Sequence, residues 1–133
     1  MKSKWIGLFM GLFILLLASS CATAPTPLGP GDARLVGVEF PEFGAIKKNV
    51  KYLANIKFEA DGRPEITRAC FYWGILGPYC INVMDVNYGT GVARVDVQTP
   101  PDGVYRFKIF AYYTRDGRNV RTNMVETTVT VSP

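Results

Sequence analysis

The chain contains no histidine, and beyond residue 20 its only serine is Ser132. Serine hydrolases and cysteine proteases activate their nucleophile with a neighbouring histidine. Zinc sites and many iron sites also draw on imidazole ligands. The composition therefore argues against these reaction classes and against a metal site. We expect a protein that is not an enzyme and that holds no cofactor.

Carboxylates are the remaining catalytic side chains, since a pair of them is enough to hydrolyse a glycoside. Asp61, Asp102 and Asp116 each precede a glycine, and Asp-Gly pairs favour tight turns. Asp96 alternates outward on a predicted strand beside Arg94 and is interpreted as a solvated residue. Asp85 lies on another predicted strand, where the alternation indicates burial or a strand end. A small hydrolase is therefore the least favoured class of function.

Basic charge is not concentrated anywhere along the chain. Lysine and arginine number 15 against 11 aspartates and glutamates, for a net charge of +4, and they are scattered apart from Lys47, Lys48 and Lys51. Nucleic-acid-binding domains concentrate basic residues on one face or along one helix. We therefore expect no nucleic-acid partner.

The longest apolar run, residues 6–18, follows Lys2 and Lys4 and is broken only by glycine. Thirteen residues fall short of the ~20 that cross a bilayer as a helix, but they suit the core of a signal peptide. Small residues at 18–20 then precede Cys21. The segment resembles the signal peptide and lipobox of bacterial lipoproteins, although the commonest lipobox has leucine where Ala18 stands.

This resemblance implies that residues 1–20 are removed and that Cys21 carries a diacylglyceryl group with palmitate-type chains. Two acyl chains hold a protein stably at a membrane, whereas one does not. Residues 21–33 would then form the lipidated cysteine and a Pro/Gly-rich tether. In a Gram-negative host, Ala22 implies sorting to the outer membrane, since aspartate there signals retention in the inner membrane. The alternative is ordinary secretion with Cys21 incidental.

The chain has three cysteines, an odd number for a secreted protein. If Cys21 carries lipid, Cys70 and Cys80 remain as a pair in an oxidising compartment, where disulfides form. We therefore predict a Cys70–Cys80 disulfide. A metal site is the weaker alternative, because two thiols without histidine make a poor ligand set.

No segment beyond residue 33 has an apolar helical period. Apolar and polar residues instead alternate in short runs separated by Gly, Pro and Asp-Gly turns, which is typical of strands. Seven such strands in residues 34–133 predict a single all-β sandwich. The predicted strands are 34–40, 49–60, 65–73, 79–88, 92–99, 104–114 and 119–131.

The run from Gly103 to Phe107 resembles the start of strand F in immunoglobulin-like domains. Tyr105 would be the tyrosine of the corner, Phe107 would fill the core position that is cysteine in antibodies, and Trp73 would be the buried tryptophan of strand C. Cys70 and Cys80 lie too close in sequence for the inter-sheet disulfide of antibodies. The resemblance implies instead a bond from strand C to the strand or loop that follows. Fibronectin-III-like sandwiches are similar to the chain in the same way.

The best lead to function is aromatic. In an immunoglobulin-like sandwich, strands C and F share a sheet, so their outward residues would form one mixed aromatic and basic surface of the kind enriched at interfaces. The alternative is that strands favour aromatics anyway and that the alternation is shifted by one residue. The residues of this candidate binding face are Arg68, Tyr72, Arg106, Lys108, Phe110 and Tyr112.

Together these features predict a lipid-anchored, non-enzymatic binding or structural module of the bacterial cell envelope. Its expected partners are the membrane, through Cys21, and an envelope protein or glycan. The main alternative is a carbohydrate-binding module that stacks peptidoglycan or another surface glycan on exposed aromatic rings.

Overall fold

The computed structural model describes residues 26–41 and 46–133, which form ten β-strands and no helix. The predicted signal peptide, Cys21 and residues 22–25 lie outside the described residues. The strands are β1 (Ala33–Glu39), β2 (Ile46–Lys47), β3 (Lys51–Ala60), β4 (Ile66–Trp73), β5 (Leu76–Asn82), β6 (Asp85–Asn87), β7 (Val92–Gln98), β8 (Gly103–Arg115), β9 (Arg118–Arg121) and β10 (Val125–Ser132).

The strands form two sheets that pack face to face. One sheet has the order β1-β3-β7-β6 and the other the order β2-β10-β8-β4-β5, with β9 also pairing with β8. These orders correspond to strands A-B-E-D and G-F-C-C′ of immunoglobulin domains, and β2 adds a short parallel pairing to β10. The predicted immunoglobulin-like sandwich is confirmed.

Alternating side chains fill the space between the sheets. Ala93, Val95 and Val97 of β7 are fully or almost fully buried, as are Phe107 and Ile109 of β8, while the residues between them face outward. Burying a large apolar side chain contributes about 1.5–3 kcal/mol, so the alternation fixes which face of each strand points inward. The predicted alternation is correct on β3, β4, β7, β8 and β10.

An aromatic cluster occupies one end of the core. The rings of Trp73 and Phe107 are 4.7 Å apart between centroids. The hydroxyl of Tyr105 donates to the carbonyl of Pro101 at 2.8 Å, four residues upstream, as in a tyrosine corner. Trp73 Nε1 donates to the carbonyl of Gln98 at 3.0 Å, which joins the two sheets. The expected roles of Tyr105, Trp73 and Phe107 are confirmed.

The predicted strand 79–88 is wrong, since it is two strands in different sheets. The N–H of Val83 donates to the carbonyl of Thr67, on β4, at 3.1 Å, whereas the N–H of Met84 donates to the carbonyl of Arg94, on β7, at 2.9 Å. The chain therefore crosses from one sheet to the other between two consecutive residues, with no Gly or Pro to mark the crossing.

The predicted strand 119–131 is also divided, at Thr122. The Thr122 hydroxyl accepts the N–H of Ala111 at 2.9 Å, in a place where a regular ladder would use a backbone carbonyl. β9 and β10 both pair with β8 on either side of this break.

One side of the sandwich is closed by Asn123. Its Oδ1 accepts the N–H of Leu35 at 2.8 Å and its Nδ2 donates to the Leu35 carbonyl at 2.9 Å. The amide thus links the β9–β10 junction of one sheet to β1, the edge of the other. The opposite side, between β5 and β7, has a groove.

The end of the predicted tether is bound to the domain. The N–H of Gly31 donates to Asp61 Oδ2 at 3.1 Å, and Asp32 pairs with Arg115 and accepts the hydroxyl of Tyr113 at 3.0 Å. Burial of the Tyr113 ring, with this hydrogen bond as a second cause, raises the pKa of its hydroxyl above the ordinary value of 10. Gly31 and Asp32 are therefore joined to the sandwich by hydrogen bonds and an ion pair.

Candidate functional site

The six residues of the predicted binding face lie together on the outer face of the β5-β4-β8-β10 sheet. In the register of β4 and β8, Arg68 stands opposite Tyr112 and Tyr72 stands opposite Lys108. We call this surface the aromatic–basic face. It comprises Arg68, Tyr72, Arg106, Lys108, Phe110 and Tyr112, together with Arg121, which was not predicted to lie there.

The alternation predicts that Phe110 is exposed on this face, but only 4% of its surface is exposed, so a partner cannot contact it directly. The guanidinium of Arg121 lies 3.8 Å above its ring centroid. The rings of Tyr72 and Tyr112 flank it at 6.4 and 5.7 Å. Phe110 therefore supports the exposed residues around it, and a partner would meet Tyr72, Tyr112 and the cations.

Arg121 was missed because the break at Thr122 changes the alternation of the last predicted strand. Residues on β9 and β10 that look continuous in sequence belong to separate ladders, and Arg121 stands opposite Tyr112. The signal that was available is Thr122-Asn123, two residues that often replace backbone partners at irregular positions.

The predicted Cys70–Cys80 disulfide is present, and Cys70 alternates with Arg68 and Tyr72 on the outward side of β4. The two cysteines are directly opposite each other on β4 and β5, and Cys70 is also opposite Phe110 on β8. It joins strand C to the following strand, as the resemblance implied.

The two outer faces of the sandwich differ in how their charges are satisfied. On the β1-β3-β7-β6 sheet, Arg34 pairs with Glu59 at 2.7 Å and Lys57 with Glu39 at 3.2 Å. On the aromatic–basic face, Arg106 and Glu126 are 3.8 Å apart. Its other cations, Arg68, Lys108 and Arg121, have no ion-pair partner among the described residues.

Asp85, one of the candidate carboxylates, is exposed at the start of β6. Arg94 Nε donates to both carboxylate oxygens of Asp85, at 2.8 and 3.0 Å. These hydrogen bonds lower the pKa of Asp85 and raise that of Arg94. A general acid needs the opposite shift. The positions of the remaining aspartates are as the sequence suggested, with Asp96 exposed on β7 and Asp61, Asp102 and Asp116 at turns.

A groove of about 640 Å³ opens between the sheets on the side of β5 and β7. Its apolar wall includes Phe71, Trp73 and Leu76, and the ring of Tyr79 lies 5.7 Å from that of Phe71. Polar groups of Asp96 and Gln98 line the opposite wall. The groove was not predicted, because residues 79–88 were expected to form a single strand. In the structure they contribute to β5 and β6, which belong to different sheets.

No model of a known protein family matches the chain, and no curated protein matches it significantly. Within the described ranges, no helix has the length and apolar character to cross a membrane, and no three His, Cys, Asp or Glu side chains are grouped as metal ligands. The features that bear on function are therefore the outer faces of the sandwich and the groove.

Proposed function

We propose that the protein is a lipid-anchored, non-enzymatic binding module of the bacterial cell envelope, and that it docks an acidic surface of a partner protein on the aromatic–basic face. The observation that carries the proposal is the contrast between the two outer faces. One pairs most of its cations with carboxylates, whereas the other leaves Arg68, Lys108 and Arg121 without ion-pair partners among the described residues, in register with tyrosines.

The chemistry of this face suits a protein interface. Tyrosine and arginine are enriched at interface cores and carry much of the binding energy. Packing against the buried Phe110 ring holds Tyr72, Tyr112 and Arg121 in place. A preorganised surface loses less side-chain entropy on binding, and unpaired cations steer an acidic partner toward it.

The anchor supports the same function. The lipobox-like segment ending at Cys21 would hold the domain at a membrane surface, where a partner is concentrated. We expect the full-length protein to sediment with membranes, and a Cys21→Ser variant, which lacks the acylated thiol, to remain in the soluble fraction.

A glycan is the second candidate ligand, favoured by the two tyrosine rings on this face. Tyr72 and Tyr112 are both partly exposed, and aromatic rings of this kind stack on sugars. Co-sedimentation of the full-length protein with purified peptidoglycan in detergent, in an amount that falls when both tyrosines are replaced, would favour this candidate over a protein partner.

Chemical crosslinking in cells tests the docking proposal. The full-length protein and a Tyr72→Ser/Tyr112→Ser variant are crosslinked, and the adducts are compared. Loss of two interface-core aromatics costs at least ~1.4 kcal/mol, or about tenfold in affinity. We therefore expect the yield of the main protein adduct to fall about tenfold in the variant.

The matched control is Arg34→Ser/Lys57→Ser, which places two serines on the outer face of the other sheet. These exposed ion pairs contribute little stability, so the control should keep the adduct. Circular dichroism confirms that both variants are folded. An unchanged adduct in a folded Tyr72→Ser/Tyr112→Ser variant would contradict the proposal.

A further inference from the structure

β5 is an edge strand with free hydrogen-bonding groups. In an antiparallel ladder, alternate residues direct their N–H and C=O groups to opposite sides. The N–H of Val83 donates to the carbonyl of Thr67 on β4. The odd-numbered residues of β5 at this end of the hairpin therefore direct their backbone N–H and C=O groups toward β4. Cys80 and Asn82 therefore direct their backbone groups away from β4, where no other described strand pairs with them.

β7 has a second free edge across the groove. β6 pairs only with Val92–Arg94 of β7, and the carbonyl of Arg94 accepts from Met84 on that side. The backbone N–H and C=O groups of Asp96 point to the same side, where no described strand pairs with them. Beyond it, the carbonyl of Gln98 is satisfied by Trp73 Nε1, which closes that end of the edge.

The space between these edges has an apolar wall suited to a strand. Phe71, Trp73 and Ile81 line the groove, and Leu76 and Tyr79 are 40% and 49% exposed beside it. Alternate side chains of a strand point to opposite faces. A strand added to β5 would therefore place every second side chain in the groove and the others on the outer face of the sheet.

We propose that β5 binds an extended segment of the partner by β-strand addition, and that this segment alternates apolar with acidic residues. The inference rests on the proposed function, because it assumes that the partner is a protein. The apolar residues enter the groove between the sheets. The acidic residues emerge on the outer face beside β5, and the next strand, β4, carries the unpaired Arg68.

The register places Arg68 within reach of the added strand. Arg68 is opposite Asn82, so the backbone of the new strand lies two strand spacings, about 9.5 Å, from that of Arg68. An arginine and a glutamate side chain together cover this distance. Main-chain hydrogen bonds provide affinity in this mode of recognition, and the alternating side chains provide specificity.

Pro78 limits where the segment pairs. It has no N–H, and proline is typical of an edge that is protected against pairing. The stretch that remains open is Tyr79–Asn82, next to the disulfide that fixes β5 to β4. The accessible part of the edge is therefore rigid and short.

The probes are two synthetic peptides of about ten residues, the length of a long strand, one alternating valine with glutamate and the other valine with lysine. They are titrated into the full-length protein in detergent, and amide exchange is followed by NMR. We expect the glutamate peptide to bind at least about tenfold more tightly and to slow exchange at the amides of Cys80 and Asn82. An Arg68→Glu variant should reverse the preference.

A scrambled peptide with the composition of the glutamate peptide is the control for charge alone. Equal binding of the scrambled and alternating peptides, or binding without slower exchange at Cys80 and Asn82, overturns the inference. An Asn82→Pro variant lacks one N–H that points away from β4, and its affinity for the glutamate peptide should be about tenfold lower. The exchange measurement on the unaltered protein does not depend on the folding of this variant.

The same variants separate this inference from the proposed function. If the adduct in cells is lost in Tyr72→Ser/Tyr112→Ser but is unchanged in folded Asn82→Pro, the aromatic–basic face binds and the strand-addition inference is wrong. If the adduct is unchanged in both folded variants, both proposals are wrong. Loss of the adduct in both supports both.

Discussion

Asn123 joins the two sheets with one side-chain amide. It satisfies both the N–H and the carbonyl of Leu35, a buried residue at an irregularity in the pairing of β1 with β3. A backbone group that loses its partner in a buried place costs about 1–3 kcal/mol. The amide of Asn123 therefore stabilises the closed side of the sandwich.

Replacing Asn123 by alanine should lower the free energy of unfolding by about 1–3 kcal/mol, because both Leu35 groups lose their partner. Urea denaturation measures the change. Asn119→Ala is the control, since Asn119 is exposed on β9 and such surface changes stay within about 0.5 kcal/mol. Equal losses in the two variants would show that the Asn123 amide does not join the sheets.

The sequence predicted the burial of individual side chains on β8 only in part. Alternation predicted which side of β8 is buried, because a shift by one residue would expose Phe107 and Ile109. It did not predict that Phe110, on the outer side, is covered. That depends on Arg121, whose position follows from the distant pairing of β9 with Tyr112.

At the scale of elements, β5 depends on its neighbour more than the other long strands do. Most of its residues are exposed, and it pairs with β4 alone. The Cys70–Cys80 bond is its covalent connection to that strand. A disulfide that closes a short loop of this kind raises the free energy of unfolding of the protein by about 2–3 kcal/mol.

Reducing the disulfide should lower the free energy of unfolding by about 2–3 kcal/mol and loosen β5 first. Amide exchange at Tyr79 and Ile81 should accelerate far more than at Phe107 and Ile109, which lie in the centre of β8. The Cys70→Ala/Cys80→Ala variant should reproduce the effect without reductant. A uniform acceleration across β5 and β8 would contradict this local role.

The sequence predicted most strands and their inward faces but not the sheet to which each short strand belongs. Val83 and Met84 bond to different sheets without a turn signal between them, so the division of 79–88 follows from tertiary pairing. The groove depends on that division, and for this reason it was not predictable from local pattern.

At the scale of the whole molecule, the entry of the chain and the proposed binding surfaces lie on different parts of the sandwich. The chain enters beside Asp61 and Arg115, at the end formed by the turns after β3 and β8. The aromatic–basic face runs along the flank of one sheet, and the groove opens at the edge of that sheet. An anchor at Cys21 would therefore leave both surfaces accessible to a partner.

The most direct test of the account is site-specific photocrosslinking in cells. A photoreactive phenylalanine derivative replaces either Lys108, on the aromatic–basic face, or Lys57, on the outer face of the other sheet, in the full-length protein. Docking on the aromatic–basic face predicts a discrete protein adduct from position 108 and none from position 57. Equal adducts from both positions, or an adduct from position 57 alone, would contradict it.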